Sequence, residues 1–176
     1  MVKYIFIRFI AGILQIFPLR IVRLLKYPIG YLYYIFSFRS TIRLIRRKKY
    51  LKISKLLYIS PIRIKLFYSQ YWLETLWLNK RVATATEKYV KFAEIEKINN
   101  LISYNEGFII ALPHQGNWEF AIPAGVELGL DLVAIAEPLQ NKLILDWFIN
   151  LRTSLGCKII LGGSNNNTYD KIKNEI

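Results

Sequence analysis

The residues most able to do chemistry sit in one short stretch, His114-Gln115-Gly116-Asn117-Trp118-Glu119. His114 is the only histidine in the chain. An imidazole with an ordinary pKa of about 6.5 is a ready base at neutral pH and can take a proton from a hydroxyl. A carboxylate on its opposite ring nitrogen fixes the tautomer and stabilises the imidazolium formed in the transition state; such general-base help is worth roughly 10²- to 10⁴-fold. Glu119 is the candidate for that role. No Ser or Cys stands beside His114 as an elbow nucleophile, so direct transfer to a hydroxyl is simpler than a covalent intermediate.

The five-residue offset would place His114 and Glu119 on different faces of a continuous helix. They can meet only if His114 lies in a loop and Glu119 in the first turn of the helix that follows. The surrounding sequence predicts that arrangement. Residues 107–113 (GFIIALP) read as a buried strand, Gly116 permits a tight bend, Asn117 can cap a helix, and residues 117–129 read as a helix stopped by a glycine. Residues 131–136 (DLVAIA) read as a second strand, 139–156 as a helix with a glycine stop, and 157–163 (CKIILGG) as a third strand. The expected fold class is α/β: a helical, basic N-terminal region over residues 1–100, then a β-α-β-α-β core with a parallel sheet and flanking helices over residues 101–176. Together they are expected to make one domain. Residues 167–176 begin what reads as another helix, so the domain is expected to be incomplete at its C-terminus.

Charge and hydropathy separate these halves. The chain of 176 residues has a net charge of +13, and all 15 Lys and Arg of residues 1–73 precede the first acidic residue, Glu74. Long apolar runs over residues 4–17 and 27–38 alternate with Arg20, Arg23 and Lys26. Basic charge on an aliphatic and aromatic background points to an anionic phospholipid surface. Arg8 and Pro18 cut the first run; Pro28 and Gly30 interrupt the second. Neither reaches the ~20 residues of a spanning helix, which favours a peripheral, monotopic attachment. Pro18, Pro28 and Pro61 are expected to mark breaks between helices. Tyr68, Tyr71, Trp72, Thr75 and Leu76 share one face of a helix expected to pack on the core.

The composition also excludes chemistry. One cysteine, Cys157, permits no internal disulfide, and with one histidine there is no Cys/His cluster for a metal. Cys157 lies in an apolar run and reads as a small core residue. The cluster Arg43–Tyr50 (RLIRRKKY) reads as a headgroup contact without chemistry of its own. Basic charge interleaved with aromatics could also bind single-stranded nucleic acid, but the aromatics lie inside long aliphatic runs and no nucleic-acid motif accompanies them. A basic binding protein in which HQGNWE is merely a loop is the non-enzyme alternative; nucleic acid is not the expected partner.

Residues 113–120 (PHQGNWEF) resemble the H-x-x-x-x-D/E block of the lysophospholipid acyltransferase superfamily. The form is the GNW-containing one of lipid A lauroyl/myristoyl and phosphatidylinositol mannoside acyltransferases. Residues 68–75 (YSQYWLET) resemble the aromatic stretch upstream of that block. VAIAEPLQ and WFINLRTSLGCKIILGG are similar to the A-E-R/P-L and F-x-x-x-R-x-x-L-G elements of the mannoside enzymes. The resemblance implies a membrane-associated O-acyltransferase at the cytoplasmic face of the cell inner membrane, with His114 and Glu119 catalytic. Gln115, Gly116, Asn117, Trp118, Glu137 and Arg152 would line the substrate site. It implies no cofactor beyond an acyl-CoA or acyl carrier protein co-substrate, and a glycolipid acceptor, either a phosphatidylinositol mannoside or a lipid A precursor. The family is longer than this chain, so the chain on its own is expected to lack part of the pocket.

Overall fold

The computed structural model describes residues 2–50, 60–79, 86–104, 107–113, 116–163, 169–170 and 173. It divides into a helical unit, Phe9–Trp77, and an α/β unit made of Met1–Arg8 and Leu78–Ile176.

The helices run in the order α1 (Val2–Leu14), α2 (Leu19–Leu24), α3 (Lys26–Phe36), α4 (Phe38–Tyr50) and α5 (Pro61–Trp77). Pro18 is the N-cap of α2, and Pro61 opens α5. Pro28 lies in the first turn of α3, where a missing N–H costs nothing; the break falls just before it. Within the helical unit α3 packs on α5 at Gly30, where a Cβ would come within 2.6 Å of the Leu66 side chain and 3.1 Å of its Cα. Only glycine lets the two backbones approach so closely.

The packing face of α5 is rotated from the expected one. Thr75 of the predicted stripe is buried, but Tyr68 is 49% exposed and the inward positions are Lys65, Ser69, Leu73, Glu74 and Trp77. Apolar spacing located the helix but misjudged its orientation, because Lys65, Ser69 and Glu74 are polar and face inward, Lys65 and Glu74 with partners on other helices. Arg23 Nε donates to Glu74 Oε1 at 2.7 Å, Gln70 Nε2 donates to the same oxygen at 2.8 Å, and Lys26 Nζ donates to Gln70 Oε1 at 2.8 Å. Lys65 donates to Ser40 Oγ and stands 4.0 Å from the centroid of the Tyr33 ring. A Leu at each of these places would have made the stripe legible.

The α/β unit continues with α6 (Ile95–Ser103), a 3₁₀ turn at Trp118–Phe120, α7 (Ala121–Glu127), β1 (Leu132–Ala136), α8 (Lys142–Ser154) and β2 (Cys157–Leu161). The two strands pair in parallel, from Leu132 opposite Cys157 to Ala136 opposite Leu161, with α8 as the crossover that such pairing requires. Asn141 Oδ1 caps α8 by accepting from Ile144 N at 3.3 Å. Gly156 ends it at φ +96°, with its α-carbon packed so near Val126 of α7 that a Cβ would lie 2.9 Å from that side chain. Phe120, Ile122, Ala124, Phe148, Leu155 and Ile160 are buried in this unit.

Among the described residues the core is therefore β-α-β, with an α-helix ahead of it, and not the β-α-β-α-β expected from the sequence. Residues 107–113 form no strand: they are exposed throughout, Ile109 to 91%. An apolar run becomes a strand only where a sheet edge accepts its backbone and helices cover both faces. Composition reports the apolarity and says nothing of the pairing. Most of residues 167–176, expected to start a helix, lie outside the described residues.

Candidate active site

The site is built where the chain enters α7. Gly116 adopts φ +63°, a left-handed conformation that other residues rarely adopt, and turns the chain at the end of the HQG segment. Asn117 then caps the 3₁₀ turn by accepting the Glu119 N–H on Oδ1 at 3.2 Å. That turn carries Glu119 inward, where it is 0% exposed.

A carboxylate cannot sit in such a place unpaired. Its partner is Arg152, in the last turn of α8. Arg152 Nε donates to Glu119 Oε2 at 3.0 Å and Nη2 donates to Oε1 at 2.8 Å. This is the bidentate fork that only a guanidinium provides, and it fixes both the position and the plane of the carboxylate. The guanidinium is in turn held between two rings: its Cζ lies 4.5 Å from the centroid of Trp118 and 5.2 Å from that of Phe148. With its side chain 13% exposed, Arg152 is no solvated helix position.

The structure thus brings together three residues that the sequence resemblance placed near the site, Trp118, Glu119 and Arg152, with Asn117 as the cap that aims them. Glu137 is exposed in the loop after β1. His114 and Gln115 lie outside the described residues. Sequence reasoning missed Phe148, the second face of the clamp. Its position four residues before Arg152 on one helix puts the two side chains on the same stripe, which was the available signal.

Cys157, the first residue of β2, is buried nearby. Burial pushes its thiol upward, with Arg152 and a backbone hydrogen bond at Ala134 pulling partly back and Glu119 adding to the rise. A thiol held protonated is a poor nucleophile, in keeping with its reading as a core residue.

A parallel β-α-β unit with a buried Glu–Arg pair at the start of α7 is compatible with the α/β core of an acyltransferase-like fold. The chain belongs to the bacterial lipid A biosynthesis acyltransferase family, the match running over residues 67–174. It is similar to the phosphatidylinositol mannoside acyltransferase of Mycobacterium tuberculosis, 26% identical over 97 residues that make up 53% of this chain and 30% of that protein. The protein of the same name from Mycolicibacterium smegmatis is 26% identical over 93 residues, 53% of this chain and 31% of the relative. The matched part of the chain thus spans under a third of the length of these relatives.

Proposed function

We propose that the protein acts as a membrane-associated O-acyltransferase that moves a fatty acyl group from a thioester to a hydroxyl of a glycolipid. His114 takes the proton of the acceptor hydroxyl as its oxygen attacks the thioester carbonyl. A C–O bond forms, the C–S bond breaks, and the proton passes to the departing sulfur of coenzyme A or acyl carrier protein. Glu119 orients the imidazole and stabilises its charged form. A carboxylate accepts up to about four hydrogen bonds, so two from Arg152 are compatible with one from an imidazole. Gln115, Gly116, Asn117 and Trp118 shape the site; Glu137 borders it on the loop after β1, and Arg152 sets the plane of Glu119.

The observation that carries this reading is the fully buried Glu119 in its two-point guanidinium grip, five residues after the sole histidine. A carboxylate is held so firmly where its orientation matters. The preferred acceptor is a phosphatidylinositol mannoside, after the relatives' names, with a lipid A precursor as the alternative that the family name suggests. The lipid substrates and the basic, apolar N-terminal part favour work at the cytoplasmic face of the cell inner membrane, with peripheral attachment. Among the described residues no helix is long and apolar enough to cross a membrane. Transfer of radiolabelled acyl groups by the intact protein to each acceptor tests the reading. His114→Ala should lower the rate roughly 10²- to 10⁴-fold; a rate within a few fold of the unsubstituted protein sinks the mechanism.

A further inference from the structure

The helical unit distributes its side chains in a way that acyl transfer does not explain. On α3, Tyr31, Leu32, Ile35 and Phe36 form one exposed stripe, with Phe36 83% exposed, and Phe38 extends it into α4. The interior of the same unit meanwhile holds Lys65, Ser69, Glu74 and Thr75. A helical unit surrounded by water puts such residues the other way round. The buried charges meet partners inside the unit: Glu74 with Arg23 and Gln70, Lys65 with Ser40 and the Tyr33 ring. Internal satisfaction of polar groups is what contact with lipid demands, since hydrocarbon offers them nothing.

The rim of the stripe identifies what covers it. Arg39, Arg43 and Arg46 recur at four and three residues along α4 and are all exposed, so they make a ladder on one side of the helix. No acidic residue precedes Glu74 in the chain, and Glu74 is engaged by Arg23. The occupant must be apolar and anionic together. Helix α3 has 11 residues, about 16 Å of helix against roughly 30 Å of bilayer hydrocarbon, so it reaches into one leaflet and does not cross.

We propose that α3 and the first turns of α4 form a lipid-immersed face, the Tyr31–Phe38 stripe among acyl chains and Arg39, Arg43 and Arg46 against the phosphates of an anionic phospholipid leaflet. The proposal rests on the reading that the enzyme works at a membrane, and adds which surface enters it and which lipid charge it selects. Co-sedimentation of the intact protein with phosphatidylcholine vesicles, with and without phosphatidylglycerol, tests it. The unsubstituted protein should prefer the phosphatidylglycerol vesicles and lose that preference in high salt. R39E/R43E/R46E should weaken binding to them roughly a hundredfold, and F36S/F38S should weaken binding to both vesicle types about tenfold or more. Circular dichroism checks that each variant is folded, and hydrogen exchange on the unsubstituted protein, expected to slow over residues 31–46 with vesicles, gives a reading that needs no substitution. Unchanged binding by both variants, no slowing over those residues, or binding of an oligonucleotide in preference to vesicles overturns the proposal. Vesicle binding as expected from a protein with no acyl transfer, even to a water-soluble acceptor, supports this face and overturns the acyltransferase reading instead.

Discussion

Among the described residues each unit buries one glutamate against one arginine, and the two pairs are built to different standards. In the helical unit Glu74, its side chain 4% exposed, accepts from the Nε of an Arg23 that is 46% exposed. Gln70 and Lys26 complete a chain of ordinary hydrogen bonds across α2, α3 and α5. In the α/β unit Glu119 is gripped at both oxygens by an arginine that two aromatic rings hold in place. One pair fastens helices and tolerates slack. The other fixes the plane of a carboxylate, which is worth its cost only where direction matters to a neighbour.

The largest effect is expected where the grip is tightest. Glu119→Gln keeps the shape but leaves the Arg152 guanidinium buried without its counter-charge. Breaking such a pair costs about 3–5 kcal/mol, read as a lower denaturation midpoint, and acyl transfer by the fraction that remains folded should fall at least about a hundredfold. Arg152→Lys comes next. It preserves the charge and loses the fork and the stacking on Trp118 and Phe148; kcat should drop about tenfold or more while the protein still folds. A Lys variant with full kcat would show that the plane of Glu119 is immaterial and would erase the distinction drawn between the two pairs.

Glu74→Gln supplies the contrast. Arg23 is exposed enough to turn to water, so the loss should be about 1–2 kcal/mol, with acyl transfer per folded molecule unchanged within a factor of about two. A loss of stability as large as that of Glu119→Gln, or a collapse of the rate, would mean that both pairs serve the chemistry.

The two pairs were also unequally legible. The stretch that carries Glu119 was legible in residue identity, because the bend glycine Gly116 and the capping Asn117 stand where the structure uses them, while His114 lies outside the described residues. Arg152 came through the resemblance of its stretch to the mannoside enzymes, and its place opposite Glu119 needed the crossover of α8 over the β1–β2 pair. The strands β1 and β2 were readable because each is a short apolar run that follows a glycine helix stop, Gly129 and Gly156. The segment over residues 107–113 carries the same signal and forms no strand, since pairing is a property of the partner edge and not of the run. In α5 the polar residues Lys65, Ser69 and Glu74 face inward, and a reading that equates polarity with exposure turns the helix the wrong way. Ser40 and Tyr33, which engage Lys65, and Arg23, which engages Glu74, are at least 25 residues away in sequence, beyond any local pattern; Gln70, four residues from Glu74, is near.

The smallest effect concerns the residue behind the tighter pair. Burial raises the Cys157 thiol, and the Glu119 carboxylate adds to that rise. In the window between the ordinary thiol pKa and the higher folded one, the unfolded chain gives up its proton while the folded chain keeps it. Stability therefore falls as pH rises through that window and is unaffected by this group at lower pH. Cys157→Ala should flatten that alkaline slope while leaving the neutral-pH rate within about twofold, since a protonated thiol takes no part in transfer. Denaturant midpoints measured at neutral and alkaline pH for the two proteins decide the matter. An unchanged slope would assign the alkaline loss to other groups, and a large drop in the neutral rate would bring Cys157 into the site that Glu119 and Arg152 define.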